Sequence, residues 1–367
     1  KNIIFYLCLR HDQIYFAFII KFIIINLINK YLFSKLKLMK KIIKYGLLST
    51  AQIGINAHLP ASIESHNSEI ISISSRGVEK AKLAAEKNKI NKYFGSYQEQ
   101  IEDPEVDAII NSLPNSMHCE WTIKCAEAGK HILCEKPLAV TVEECKKMID
   151  AANYNNVLLV EAFTHRWNHH LITAKKIIKN GELGSVVTTD SSLCFTTDPK
   201  NNIRFNPSLS GGALWDAGCY AVYATRFVLS EEPYLVSGSS FDFGDFGIDT
   251  TFKGVMEFKS GAISTITTSM NQPFRCHMNI DLTGGRIEIP NMFDDSGPII
   301  IRKGTNDDSD EKVIEVESKY RFVEQLNEFS NCIINNIEPT FPPEDGLKNT
   351  AAIYALYKSS SENKKTN

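Results

Sequence analysis

Two hydrophobic rhythms divide the chain. Between residues 42 and 160, short apolar runs alternate with stretches of helical periodicity. Ile42–Leu48, Glu69–Ser75, Val106–Ser112, His131–Glu135 and Val157–Val160 read as strands. The stretch to about Ser65, then Val78–Lys87, Ser116–Ala128 and Thr141–Ala152, read as helices. Gly129 fits the left-handed position that closes a helix, and Thr141 with Glu144 forms a capping box. Alternating strands and helices predict an α/β domain over 39–160 with a doubly wound parallel sheet.

After Glu161 the rhythm becomes strand-rich. A helix at about Leu171–Asn180, stopped by Gly181, precedes strand-like Val186–Phe195, Leu235–Phe241, Asp249–Phe258, Ala262–Met270, Met278–Leu282 and Arg286–Ile289. Lys259-Ser260-Gly261 and Thr283-Gly284-Gly285 carry hairpin chemistry, and the polar stretch Asn306–Lys312 reads as a hairpin loop. Helices at Arg321–Asn335 and Glu344–Ser359 follow. The expectation is a C-terminal α+β substrate domain over 161–361, built on an open, mostly antiparallel sheet, with a tail at 362–367.

Residues 1–38 do not match the rest. They are rich in Ile, Phe and Asn and carry six Lys or Arg against the single acid Asp12. Lys21 splits the apolar run Ile14–Ile25, short of the roughly 20 residues a bilayer span needs. No small-residue cleavage site marks a targeting peptide. Met39-Lys-Lys-Ile-Ile-Lys leads straight into the first strand, so a start at Met39 is expected, with targeting or anchoring as the alternatives. The whole chain is 43% apolar and 23% charged, with net charge −3. That composition suits a globular protein and offers no basic stripe for nucleic acid. Nine cysteines without a C-x-x-C pair predict reduced thiols in the cytoplasm, with neither a disulfide framework nor a zinc site.

The candidate chemistry lies at strand ends. Lys136 follows the run ending at Glu135, and a lysine there points into the crevice where such sheets bind ligands. Tyr220, in Asp216-Ala-Gly218-Cys-Tyr220, could meet it from the second domain. An ammonium beside a phenol can handle the proton of an alcohol or ketone, and the ammonium should lower the phenol's pKa. The turn Ser49-Thr50-Ala51-Gln52-Ile53-Gly54 lacks the full G-x-G-x-x-G fingerprint. Its small residues still let backbone approach a pyrophosphate at a helix N-terminus, although many nucleotide-free turns look similar. Where an NAD enzyme carries a ribose-binding acid, this chain has Ser75 and then Arg76. A hydroxyl and a guanidinium suit a 2′-phosphate, so NADP is expected over NAD. A solvated surface arginine is the alternative.

Together these segments resemble the glucose–fructose oxidoreductase/inositol dehydrogenase (Gfo/Idh/MocA) family over about Lys40–Ser361. The matching stretches are Tyr45-Gly-Leu-Leu-Ser-Thr-Ala-Gln-Ile-Gly54, Leu113-Pro114-Asn115 with His118, Glu135-Lys136-Pro137, and Asp216-Ala-Gly218-Cys-Tyr220. Gly211-Gly-Ala-Leu-Trp215 and Tyr220 look most like the branch of NADP-dependent D-xylose and trans-dihydrodiol dehydrogenases. The resemblance implies a Rossmann domain and hydride transfer between nicotinamide and a sugar, polyol or trans-diol. It implies that Lys136 bonds the reacting oxygen, Tyr220 is the general acid/base, and Asp216 orients substrate or supports Lys136. Glu135, Asn115 and His118 would line the nicotinamide ribose, and a cis peptide would precede Pro137. A homodimer through the outer face of the second sheet is also implied.

Each residue has a plainer reading: Lys136 as a surface lysine, Tyr220 as a core tyrosine, Asp216 as a helix N-cap, His118 as a packing residue. One stretch departs from the family pattern. In Glu161-Ala-Phe163-Thr-His165-Arg166-Trp167-Asn168, His165 replaces the usual tyrosine and Asn168 the usual histidine. His165 and Arg166 are expected to flank the substrate. The pair His169-His170 lacks the companion ligands of a metal site, so no metal is expected. A catalytically silent cofactor-binding sensor is the competing function; intact Lys136, Asp216 and Tyr220 argue against it.

Overall fold

The first sheet owes its form to apolar runs with no polar face. In the computed structural model, which describes residues 41–294, 296–304, 310–317 and 319–366, six strands lie in the order β3-β2-β1-β4-β5-β6. They are β1 (Ile43–Leu48), β2 (Ser68–Ser74), β3 (Lys92–Phe94), β4 (Ala108–Asn111), β5 (His131–Glu135) and β6 (Leu159–Ala162). All are parallel. Side chains alternate faces along a strand. Ala108, Ile110 and Leu133 therefore join one core, and Ile109, Ile132 and Cys134 the other. Both faces are covered, which is why these strands carry no polar alternation. The strand order reverses direction between β1 and β4, and this is where open α/β sheets bind ligands.

Two elements here had no clear signal in the sequence. The short β3 and the helix Tyr97–Glu102 fill the stretch before β4. The Gln100 amide of that helix is fully buried and bonds Ser72 and Ser74 on β2. Thr141 caps its helix as expected, its hydroxyl accepting the Glu144 N–H at 3.1 Å.

The second sheet has eight strands in the order β14-β13-β12-β11-β7-β10-β9-β8. They are β7 (Val186–Thr196), β8 (Leu235–Phe241), β9 (Thr251–Glu257), β10 (Ile263–Ser269), β11 (Asn271–Leu282), β12 (Gly285–Ile289), β13 (Ile299–Lys303) and β14 (Asp310–Ile314). The sheet is antiparallel except for the parallel pair β7–β10. β9 and β11 alternate buried and open positions, the pattern of a sheet covered on one face. The helices Cys219–Leu229 and Pro343–Glu362 share that core, contributing Val222, Ile353 and Leu356. Of the loop expected at Asn306–Lys312, residues 310–312 already belong to β14; the rest lies outside the described residues, as do residues 1–38.

The chain then returns to its first sheet. Helix Arg321–Asn335 packs Leu326 and Phe329 against Ile43, Tyr45 and Leu47 of β1. The buried Tyr45 hydroxyl meets Ser330 Oγ at 2.7 Å. Residues from Ile43 onward form one compact unit. Among the described residues no helix is long and apolar enough to cross a membrane.

Candidate active site

Four strand ends of the first sheet build one wall of the site. The β1 turn begins at Ser49, whose φ of 86° is the left-handed conformation that glycine adopts most easily. Ser49 Oγ accepts the Ala51 N–H at 3.1 Å and bonds the Ser112 carbonyl at 3.2 Å, tying the β1 turn to the end of β4. Thr50 and Ala51 are partly open and Gln52 and Ile53 are exposed, at the start of the helical segment that runs on to Glu64. Gly54 faces inward: a Cβ there would lie 3.3 Å from Ser112 Oγ. A turn of small residues at an open helix start is a fit cradle for a pyrophosphate. At the end of β2, Ser75 is buried while Arg76 is exposed beside the Tyr97 phenol. Arg76 is thus free of the core and able to reach a phosphate at the rim.

The end of β4 behaves differently. Leu113 is buried, and Pro114 and Asn115 are partly open. The Asn115 amide donates to the Ser210 carbonyl at 2.8 Å, linking the two halves of the chain. His118 is fully buried. Its Nδ1 lies 2.8 Å from the Pro137 carbonyl and its Nε2 2.8 Å from the Leu113 carbonyl. Burial nonetheless pushes its pKa down against both contacts. His118 staples the β4 and β5 turns together from beneath and does not present a ring nitrogen to the cleft.

The end of β5 holds the candidate chemistry. The Lys136–Pro137 peptide is cis, as expected. Glu135 is buried, with Oε1 at 2.7 Å from His58 Nε2 and Oε2 accepting the Lys136 N–H at 3.3 Å. His58 has no exposed surface and is a partner that the local sequence did not reveal. Lys136 Nζ donates to the Asp216 carbonyl at 2.7 Å and to Asp216 Oδ1 at 3.1 Å. It also stands over the Tyr220 ring, 5.1 Å from the centroid. The two segments expected to meet do meet.

Asp216 is not an N-cap. It lies inside the helical turn Leu214–Gly218, and its carboxylate is held between two cations. Lys136 takes one oxygen, and Arg204 Nε the other at 2.7 Å. Burial works against the carboxylate, but the two cations prevail and hold its pKa below the usual range. Lys136 shows the mirror image: burial disfavours the ammonium, and Asp216 outweighs it, so the pKa rises. Arg204 sits in the loop after β7, where periodicity gave no placement; only the tertiary fold brings it to Asp216.

Tyr220 corrects one expectation. Lys136 does favour its phenolate, but burial is the larger effect, and the phenol's pKa rises above its ordinary value. Phe163 stacks on the ring at 5.0 Å, and His165 and Phe293 meet it edge-on at 4.6 and 5.1 Å. His165 is buried with Nδ1 at 3.1 Å from Arg321; burial and that guanidinium hold it neutral. The structure therefore brings His165 to the site.

Arg166 goes elsewhere. It is fully buried, and its guanidinium bonds Glu161 Oε2 at 2.6 Å, the Glu161 carbonyl at 2.8 Å and Asp345 Oδ2 at 2.9 Å. Every arm of its fork is taken, so the expected substrate contact is replaced by a structural one. Asn168 caps helix His169–Asn180, accepting the Leu171 N–H at 2.8 Å. His169 meets Glu324 at 3.0 Å and His170 the Gly297 carbonyl at 2.7 Å, so the adjacent histidines diverge.

Comparison with known proteins agrees with this geometry. Residues 43–163 match the oxidoreductase family with an NAD-binding Rossmann fold (GFO/IDH/MocA), and residues 171–288 match the GFO/IDH/MocA C-terminal domain. The chain is 31% identical to the D-xylose 1-dehydrogenase (NADP(+)) 2 of Haloferax volcanii, covering 86% of this chain and 96% of that protein. It is 28% identical to the trans-1,2-dihydrobenzene-1,2-diol dehydrogenase of Xenopus laevis, over 72% of this chain and 81% of that one. Its fold matches the aldose-aldose oxidoreductase from Caulobacter crescentus, solved with glycerol, at a TM-score of 0.81 and 28% identity, covering 89% and 100% of the two chains. The chain belongs to the GFO/IDH/MocA oxidoreductase family.

Proposed function

We propose that this GFO/IDH/MocA oxidoreductase uses NADP to move a hydride to or from a CH–OH carbon of a sugar, polyol or trans-diol. The observation that carries the reading is the convergence of Lys136, Asp216 and Tyr220 at the end of β5, on the same sheet as the small-residue turn of β1 and one strand removed from it. Bound nicotinamide supplies or accepts the hydride. The chain's own residues manage the oxygen and its proton. Lys136, kept charged by Asp216, donates to the reacting oxygen and stabilises negative charge on it. Tyr220, kept protonated by burial, is placed to give its proton to that oxygen in the reduction direction; in oxidation the reverse transfer goes to its phenolate, the minor form that Lys136 favours. Asp216 orients Lys136, and Arg204 fixes Asp216. Phe163, His165 and Phe293 exclude water around the phenol.

Ser49–Ile53, with Leu113–Asn115, would hold the pyrophosphate and ribose, Glu135 the nicotinamide side, and Ser75 with Arg76 the 2′-phosphate. The named relatives, a D-xylose dehydrogenase and a dihydrodiol dehydrogenase, support the substrate class. A cytoplasmic location and a homodimer through the second sheet belong to the same reading. Exposed Phe241, Ile263 and Phe274 on its strands support the dimer. The test is NADPH formation with a panel of aldoses, polyols and trans-diols. Turnover of at least one supports the reading; tight NADP binding without any turnover would overturn it.

A further inference from the structure

The helix that carries Asp216 and Tyr220 begins at Ala213, and a helix start leaves backbone N–H groups without partners. Two of them are taken from outside, by one residue of the second sheet's border. The Ala213 N–H donates to the Asp249 carbonyl and the Leu214 N–H to Asp249 Oδ2, both at 2.8 Å. The other carboxylate oxygen, Oδ1, accepts the Tyr357 hydroxyl at 2.6 Å. Asp249 thus ties the catalytic helix to the terminal helix Pro343–Glu362. Its charge also suits the positive end of the helix. The fit is close. Gly212 sits at φ 129°, and a Cβ there would lie 2.3 Å from Asp249 Oδ1 and 2.8 Å from the Tyr357 hydroxyl.

We propose that Asp249 is a positioning residue for the reaction: its carboxylate, braced by Tyr357, anchors the helix start that sets Asp216 and Tyr220 against Lys136. The inference rests on the oxidoreductase reading. Asp249 reaches none of the reacting groups itself and acts through the backbone of residues 213–214. It is 6% exposed, yet it borders a surface cleft shared with Asp242, Trp215 and Tyr357, so a proton can reach it. Burial raises its pKa to about 6, against the hydrogen bonds from Tyr357 and Leu214, with Asp242 adding like-charge repulsion. Asp242 is the charged group that shares this cleft with it. Its oxygens accept the Phe246 and Gly247 N–H groups, at 3.1 and 2.7 Å. A protonated Asp249 loses its charge at the helix start. Asp216, Lys136 and Tyr220 are shifted away from neutrality, so none of them titrates in this range.

The experiment uses the full chain and two readouts. The first is kcat for NADP reduction with D-xylose at saturating NADP, from pH 5 to 8. Wild type should show an added loss of about tenfold per pH unit below pH 6. Asp249→Asn should remove that break, and Tyr357→Phe, which deletes a hydrogen bond to the carboxylate, should move it to higher pH. KM for NADP should stay within about twofold. The second readout needs no turnover. The fluorescence of Trp215, whose ring lies 5.5 Å from that of Tyr357, should change near pH 6 in wild type and not in Asp249→Asn. A kcat break that persists in Asp249→Asn, or a fluorescence transition identical in both proteins, overturns the proposal. Should no sugar or diol be turned over, the oxidoreductase reading fails while the fluorescence arm still decides the anchor.

Discussion

Lys136 Nζ stands 5.1 Å from the centre of the Tyr220 ring while hydrogen-bonded to Asp216, four residues earlier on the same helical stretch as Tyr220. Asp216 thus holds the ammonium where it faces the phenol ring. One rigid geometry links the strand end of the first sheet to the helix of the second.

That link predicts a split in kinetic constants. Tyr220→Phe keeps the ring contacts with Phe163 and His165 but removes the transferable proton. We expect kcat to fall by roughly 10² to 10⁴, the usual worth of general acid–base help. KM for NADP should change little, because the phosphate turn lies on β1 and β2. Steady-state kinetics in both substrates check this; a variant that keeps wild-type kcat removes Tyr220 from the chemistry.

Proton occupancy sets the pH dependence. Burial raises the Tyr220 pKa above its ordinary value, so the phenol is protonated through neutral pH. Reduction needs that proton and should be level from about pH 7 to 9. Oxidation needs the phenolate to accept a proton, and the phenolate fraction grows with pH below the pKa, so the oxidation rate should climb across the same window. Measuring both directions at saturating cofactor tests the sign; an oxidation rate that falls from pH 7 to 9 contradicts it.

Cofactor choice should rest on Arg76. Its guanidinium is exposed at the end of β2, with no acid at the ribose position. A charge-assisted hydrogen bond contributes about 1.5–3 kcal/mol. Arg76→Ala should therefore raise KM for NADP by roughly ten- to a hundredfold and leave KM for NAD unchanged. Equal use of the two cofactors by the wild-type enzyme would show that Arg76 has no such role.

Arg166 belongs to stability. Its guanidinium pairs with the buried Glu161 and with the partly exposed Asp345, which Arg226 also meets. Removing one partner of a buried pair costs about 3–5 kcal/mol, since it strands the other charge. Arg166→Met should lower unfolding stability by that order, read from denaturant titration. Adding Glu161→Gln should restore part of the loss. An Arg166→Met protein of native stability but raised KM for the sugar would return Arg166 to the substrate.

Much of the first sheet is legible in the chain. Parallel strands covered on both faces need continuous apolar runs, and Ile42–Leu48, Val106–Ser112 and His131–Glu135 supply them. Capping at Thr141 and Gly129 is equally local. Lys136 and Tyr220 can be named because the segments around them carry short, recognisable patterns. What the sequence determines by itself is thus what depends on near neighbours: periodicity, turn chemistry and the residue types at strand ends.

Contacts distant along the chain were decided only by the tertiary structure. Nothing near His58 shows that it bonds Glu135, and nothing near Arg204 shows that it clamps Asp216. The parallel pairing of β7 with β10 and the return of helix Arg321–Asn335 to β1 are set by which apolar faces must cover each other. Arg166 is expected to flank substrate from the family pattern of its stretch; burial against Glu161 makes it a strut. The pKa of Tyr220 shows the same limit. A neighbouring lysine argues for a lower value, and only the depth of the ring in the packed fold reveals that desolvation is the stronger force.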